Sequence, residues 1–219
     1  MAISSSISDF RHGRVPRELR ERQLVELAEQ LFAERGYGGT SMEELARRAG
    51  VTKPMVYAYF GSKDDLYLQC IDHAAARLMA AFDIAPDENE TLDETMWRRI
   101  LAYFQFVGDH RDEWLVVRGQ AAASGGPFSE RVAQARRRVV GLVAGQLEEA
   151  ARPGTRRQDL EPLAEAIVGA GEALGDWWVE HPEESAEAMA LREMNLIWMG
   201  LGGLLRGEYW TPPALASSA

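Results

Sequence analysis

The stretch that decides the fold is GVTKPMVYAYFGSKDDL, residues 50–66. Gly50 and Gly61 each read as a helix stop, and Thr52 and Ser62 just after them are residues that cap a following helix. Between the two glycines, Val56 and Phe60 stand at i, i+4 and can anchor one helical face, while Lys53, Tyr57 and Tyr59 carry polar tips. Immediately upstream, Met42, Leu45, Ala46 and Ala49 mark a short helix that Gly50 ends. Ser41 with Glu44, Ser62 with Asp65 and Thr91 with Glu94 have the spacing of capping boxes. Residues 41–61 therefore read as short helix, tight turn, short helix.

Outward from there the pattern stays helical. Leu24, Leu27, Ala28 and Leu31 repeat at i, i+3, i+4, i+7, with Pro16 as a first-turn proline and Gly36 as a stop, which places a first helix over about 16–35. A long helix runs from Lys63 to about Phe82. More follow near 91–108, 111–123, 127–151, 159–180 and 184–207, broken by Pro86, Gly125-Gly126-Pro127, Pro153-Gly154 and His181-Pro182. Strand and hairpin signals are nearly absent. The expected fold class is all-α: a three-helix N-terminal domain followed by a larger helical bundle, about nine helices in total. Residues 1–15 read as a flexible arm and 211–219 as a flexible tail.

Composition narrows the function classes. The 219 residues are 46% hydrophobic and 26% charged, which excludes fibrous and wholly disordered chains. One cysteine, Cys70, excludes a disulfide framework and a four-cysteine zinc site. No secretory apolar core is present near the start, and Leu196–Leu205 is short of the roughly 20 residues of a membrane span. A cytoplasmic protein without membrane contact is expected. The net charge of -10 argues against a nucleic-acid partner until it is divided along the chain. Residues 1–70 hold 10 basic and 10 acidic side chains, whereas residues 71–219 hold 14 and 24. Both lysines of the chain, Lys53 and Lys63, fall in the candidate head.

Two short helices joined by a glycine turn, with a third before them, have the geometry of a helix-turn-helix DNA reader. Three ordinary helices of a bundle would show the same spacing. The residues themselves go further. Ala28, Leu31-Phe32, Gly36-Tyr37, Thr40-Ser41, Leu45-Ala46, Ala49-Gly50-Val51-Thr52, Tyr57, Tyr59-Phe60, Ser62-Lys63 and Leu66 resemble the DNA-binding domain of TetR-family transcriptional repressors. The resemblance covers residues 16–67. It implies a DNA-binding domain over 16–66 and an effector-binding and dimerisation domain over 67–210.

Carried over residue by residue, the resemblance implies phosphate contacts from Thr40 and Ser41. It implies a DNA-facing helix with Thr52, Lys53, Tyr57 and Tyr59, Pro54 and Met55 near base edges, and Lys63 gripping the backbone. Leu45, Ala46, Val51, Val56 and Phe60 would form the core of the head. Arg11, Arg14 and Arg17 could reach a minor groove or phosphates, or remain solvated. The partners implied are a near-palindromic double-stranded operator, a small-molecule effector and a second copy of the chain.

For the rest of the chain the residues say less. Gly171 with Gly175 and Gly203 with Gly207 have the spacing that lets helix backbones approach closely, either across a dimer interface or inside one chain. Tyr103, Phe106, Trp114 and Trp177 are candidate walls of an effector pocket, with bulk core packing as the alternative. Arg118 could meet an anionic effector or form a surface ion pair. No hydrolase, zinc-protease or P-loop motif occurs. Gly169-Ala170-Gly171 lacks both the third glycine and the preceding strand of a dinucleotide site. His12, His73, His110 and His181 are scattered, so no metal and no cofactor are expected, and Cys70 is expected to be a buried structural thiol. The rival reading is a helical adaptor that binds protein partners without DNA; an enzyme on a helical bundle is the more distant one.

Overall fold

Capping sets where the helices begin. In the computed structural model, which describes residues 15–82, 84, 90–119, 125–151 and 156–205 (201–205 as backbone only), the helices are α1 (Arg17–Gly39), α2 (Met42–Ala49), α3 (Lys53–Phe60), α4 (Lys63–Phe82), α5 (Leu92–Asp109), α6 (Arg111–Arg118), α7 (Gly126–Ala150), α8 (Arg157–Glu180) and α9 (Ala186–Leu205). No strand occurs among the described residues. Ser41 accepts the Glu44 amide over 3.2 Å and Ser62 accepts the Asp65 amide over 3.0 Å. At Thr91 the other half of the box forms, with the Thr91 amide donating to Glu94 Oε2 over 2.8 Å. Ser185, which has Ala188 and no acid three residues on, caps α9 by accepting the Ala188 amide. That moves the start of this helix from about 184 to Ala186.

Two ends differ in kind from expectation. α1 continues past Gly36, but Gly36 itself is left-handed in φ (+67°), so the regular helix breaks where a stop was expected. α6 ends at Arg118 and does not reach 123, because Gly119 turns extended. The proposed arm with Arg11 and Arg14, and the tail over 211–219, lie outside the described residues.

The chain forms two compact units. The first takes Met1–Arg77 and His110–Ala135, the second Leu78–Asp109 and Arg136–Ala219. The boundary expected after residue 66 therefore falls inside a unit. The reason is packing: Leu66, Tyr67, Cys70 and Ile71 of α4 and Val116 of α6 share one core with Leu24, Ala28 and Leu31 of α1. Full burial of each large aliphatic side chain contributes about 2 kcal/mol, so α1 to α3 gain from drawing α4 and α6 onto them. Tyr67 donates its hydroxyl proton to the Val116 carbonyl over 2.8 Å and fixes that register. Cys70 is fully buried, its thiol pushed well above the ordinary value by burial, as a structural cysteine should be.

Half-buried polar pairs gather in the same unit. His73 Nδ1 lies 2.8 Å from Glu29 Oε1, and Arg77 donates to Glu113 Oε1 over 2.7 Å. Burial first, then the neighbouring Glu29 carboxylate, pushes Glu113 up to about 7. His73 looked isolated in sequence; the fold sets it between carboxylates from two other helices.

In the second unit, Tyr103 of α5 donates to the Gly171 carbonyl of α8 over 3.0 Å. A Cβ at Gly108 would stand 2.7 Å from Trp178 Cη2, so α5 and α8 approach closely there. The Trp178 indole donates to the Glu184 carbonyl over 2.8 Å. Glu193 of α9 is 3% exposed and turned onto Gly171, where burial alone pushes its carboxyl up to about 8.

Candidate nucleic-acid interface

The α2–α3 turn is built from its glycine outward. Gly50 is in the left-handed region (φ 64°, ψ 33°), and the following Val51 amide donates back to the Ala46 carbonyl over 3.0 Å. This 6→1 bond is a Schellman closure, and a β-carbon at Gly50 would be strained there. Thr52 is extended and starts α3 without a side-chain cap bond. Gly61, again at positive φ (75°), stops α3, and its amide bonds the Tyr57 carbonyl over 2.8 Å.

Two of eight side chains fix the orientation of α3. Val56 and Phe60 are buried against Leu45 and Ala46 of α2 and Leu24, Ala28 and Leu31 of α1, with Val51 partly buried beside them. Because Val56 and Phe60 point inward, Thr52, Lys53, Pro54, Met55 and Tyr57 are all turned to solvent. Met55 and Tyr57 are each 43% exposed, a large value for such residues on a packed helix. Lys53 Nζ is 3.5 Å from Glu43 Oε2 in an exposed pair, which contributes little and leaves the ammonium accessible.

Tyr59 is placed differently. Its ring packs against the core of the head, and the Arg17 guanidinium lies over it 5.3 Å from the centroid. Of the arginines expected near the start, Arg17 is thus set beside α3. Lys63 is half-buried, with Nζ 4.2 Å above the Tyr37 ring, and burial lowers its affinity for a proton. Tyr37 in turn donates its hydroxyl proton to Asp64 Oδ1. Burial and then that carboxylate push the phenol up to about 12. The Gly36-Tyr37 pair gives no sign of a role for Tyr37 in sequence; the kink at Gly36 sets its ring under Lys63.

Thr40 requires a correction. It was expected to touch phosphate, but it is 5% exposed, and its hydroxyl lies 3.0 Å from the Leu31 carbonyl and 2.9 Å from the Gly36 carbonyl. Its proton is spent closing the end of α1. Ser41 next to it is exposed and uses only an oxygen lone pair on the Glu44 amide, which leaves its proton for an acceptor outside.

The effector candidates divide between the units. Trp114 and Arg118 belong to the first, where Arg118 lies over the Trp114 ring at 5.7 Å; Tyr103, Phe106 and Trp177 belong to the second. Trp177 is 43% exposed and stacked on His181, so it does not wall a buried pocket. The inward stripe of α8 is Leu160, Ala164, Gly171, Gly175 and Trp178, and Trp177 stands about 100° off it. The dimer candidates also move. Gly171 and Gly175 are on that buried stripe, so they serve packing inside the chain. Gly203 lies on the backbone-only end of α9, and Gly207 lies outside the described residues.

With this geometry in place, the relatives are informative. Residues 24–70 match the family model described as bacterial regulatory proteins, tetR family, and residues 92–200 match the tetracyclin repressor-like C-terminal domain. A TetR-like transcriptional regulator of known structure from Rhodococcus sp. RHA1 is 37% identical, with 87% of this chain and all of that chain covered and a TM-score of 0.73. The HTH-type transcriptional activator FasR of Mycolicibacterium smegmatis is 34% identical over 44% of each chain. The HTH-type transcriptional regulator EthR of Mycobacterium tuberculosis is 35% identical over 47% of this chain and 48% of that protein. The chain spans about half the length of these curated relatives in the matched part.

The fold and site thus define a helix-turn-helix transcription factor. The chain belongs to the TetR family of transcriptional regulators. These matches point to DNA-binding regulation and not to an enzyme. No helix among the described residues is long and apolar enough to cross a membrane.

Proposed function

We propose that this regulator is a ligand-released repressor that binds a near-palindromic operator as a homodimer. The observation that carries the reading is the split of α3 into a buried pair, Val56 and Phe60, and an outward row of Thr52, Lys53, Pro54, Met55 and Tyr57. A short helix with its first turn so exposed fits a major groove, with Ser41 and Lys63 positioned for phosphates on either side. One such helix contacts few bases, so two copies are needed, with half-sites about 34–36 Å apart or slightly more.

The dimer face we assign is the outer side of α8 and α9. Leu191, Leu196 and Met199 are 53%, 64% and 81% exposed, and Ala166, Ala173 and Trp177 are exposed on α8. Unpartnered apolar side chains in this number mark an interaction surface. An effector bound in the second unit would favour a separation of the two heads that no longer fits DNA, with α4 as the element common to both units. One relative is named an activator, so the sign of regulation is part of the test.

The test is selection of bound sequences from random duplex DNA, followed by transcription from a promoter carrying the selected site. A palindromic site and reduced transcription support the reading. Absence of any sequence-preferring duplex binding at low salt would overturn it in favour of a protein-binding adaptor, and increased transcription would overturn repression alone. Lys63→Ala should weaken binding to all sequences alike and lower the salt slope by about one.

A further inference from the structure

Three helices meet at one point in the first unit. Glu29 comes from α1, His73 from α4 and Glu113 from α6, and one ligand atom of each lies within 4.8 Å of the others. The two glutamate side chains are nearly closed off, with 4% and 7% exposure, while His73 at 30% keeps one side of the cluster open to solvent. Glu113 is held through one oxygen: Arg77 Nη1 is 2.7 Å and His110 Nδ1 3.4 Å from Oε1. Its other oxygen, Oε2, is buried and has no hydrogen-bond partner. A buried acceptor left so costs about 1–3 kcal/mol, and more when charged.

We propose that Glu29, His73 and Glu113 form a binding site for a divalent transition-metal ion, with Glu113 contributing its unpartnered Oε2. One imidazole nitrogen and two carboxylates are a borderline donor set, suited to Zn²⁺, Mn²⁺, Co²⁺ or Ni²⁺. The imidazole disfavours Mg²⁺ and Ca²⁺, which take oxygen ligands, and the absence of a thiolate from the set disfavours Cu(I). Three protein ligands leave a position for water on the side that His73 opens. Arg77 and His110 hold Oε1 and so orient Glu113, as the outer partners of ligating carboxylates do. Binding requires His73 to give up the Nδ1 proton that bonds Glu29 Oε1 and to keep one on Nε2, so that the freed Nδ1 lone pair turns to the ion. The ion-free alternative pairs protonated His73 with Glu29 and Arg77 with Glu113; it neutralises both carboxylates but leaves Oε2 orphaned. The ion satisfies all three groups. It would also fasten α1, the first helix of the head, to α4 and α6.

The experiment uses the full chain without a histidine tag, stripped with a chelator and dialysed. Co²⁺ is titrated with visible absorption as the readout, and Zn²⁺ by calorimetry and by its effect on Tm. The expected result is one equivalent per chain at micromolar concentrations, d–d bands that Zn²⁺ displaces, and a raised Tm. His73→Gln keeps a hydrogen bond to Glu29 but lacks the ligand nitrogen, and it should weaken Zn²⁺ binding by about tenfold or more and abolish the bands. Glu113→Gln should do the same. His181→Gln, in the second unit, should bind as the wild type does. No uptake by the wild type, uptake that survives His73→Gln, or uptake lost in His181→Gln would each overturn the site. If circular dichroism shows Glu113→Gln unfolded, His73→Gln at its partly exposed position decides the matter alone.

Discussion

Val56 and Tyr57 are adjacent in sequence and opposite in the fold. Val56 is fully buried and Tyr57 is 43% exposed, so the two substitutions should separate folding from DNA contact. Tyr57→Ala should cut operator affinity by about tenfold or more, with Tm and sedimentation unchanged; a fall in Tm instead would make Tyr57 a core residue. Thr40 runs the other way. Thr40→Val fits the extended backbone at this position but removes both hydroxyl bonds, and it should cost about 1–3 kcal/mol in urea unfolding. Operator affinity of the folded fraction should stay as in the wild type. A large affinity loss without lost stability would restore Thr40 as a phosphate contact. Glu193 predicts a pH effect. In the folded chain its carboxyl keeps the proton up to about pH 8, whereas the unfolded chain releases it near 4.5. The folded state therefore binds the extra proton between these values, and stability falls as pH rises from about 4.5 towards 8. Glu193→Gln removes that loss, on the order of 4 kcal/mol at the alkaline end. The difference in unfolding free energy between variant and wild type should grow from pH 5 to pH 9, and a difference flat across that range would refute the reading.

At the scale of elements, most boundaries follow from local chemistry that a sequence displays. Ser41 and Ser62 cap as their spacing implies, Gly50 and Gly61 stop helices at positive φ, and Gly36, also at positive φ, breaks α1 without ending it. Gly50→Ala should destabilise the protein by about 1 kcal/mol through backbone strain alone, since a Cβ there meets nothing within 4 Å. Gly50→Asn should cost less, because asparagine tolerates the left-handed region. Chemical denaturation of the two variants checks the order, and equal costs would argue against strain. What spacing does not show is which side of a long helix faces inward. On α8 the adjacent tryptophans divide, Trp178 at 8% exposure and Trp177 at 43%, and the glycines of the inward stripe go with Trp178. Four-residue glycine spacing is equally compatible with either side, and on α8 it marks packing inside the chain.

For the whole molecule, the charge of -10 belongs to residues 71–219, while the head is neutral with both lysines on or beside α3. In the proposed dimer such a body would repel DNA and leave contact to the heads. The exposed apolar side of α9 gives the prediction at this scale: Leu196→Glu together with Met199→Glu should convert a sedimenting dimer to a monomer and leave the helical content unchanged. A persistent dimer would place the interface elsewhere. The sequence alone determined the all-helical class, the position of the α2–α3 turn and the inward pair Val56 and Phe60 of α3. Each rests on contacts between residues no more than a few positions apart, where capping, glycine conformation and the 3.6-residue period act. Only the tertiary structure decided that α4 and α6 complete the head's core, that Thr40 faces inward, that Tyr37 lies under Lys63, and that Glu29, His73 and Glu113 converge. The first and last of these depend on contacts between distant helices, as Glu29 and His73 are 44 residues apart, and the other two on how the end of α1 closes at Gly36 and packs on α4; no capping or periodicity pattern encodes either.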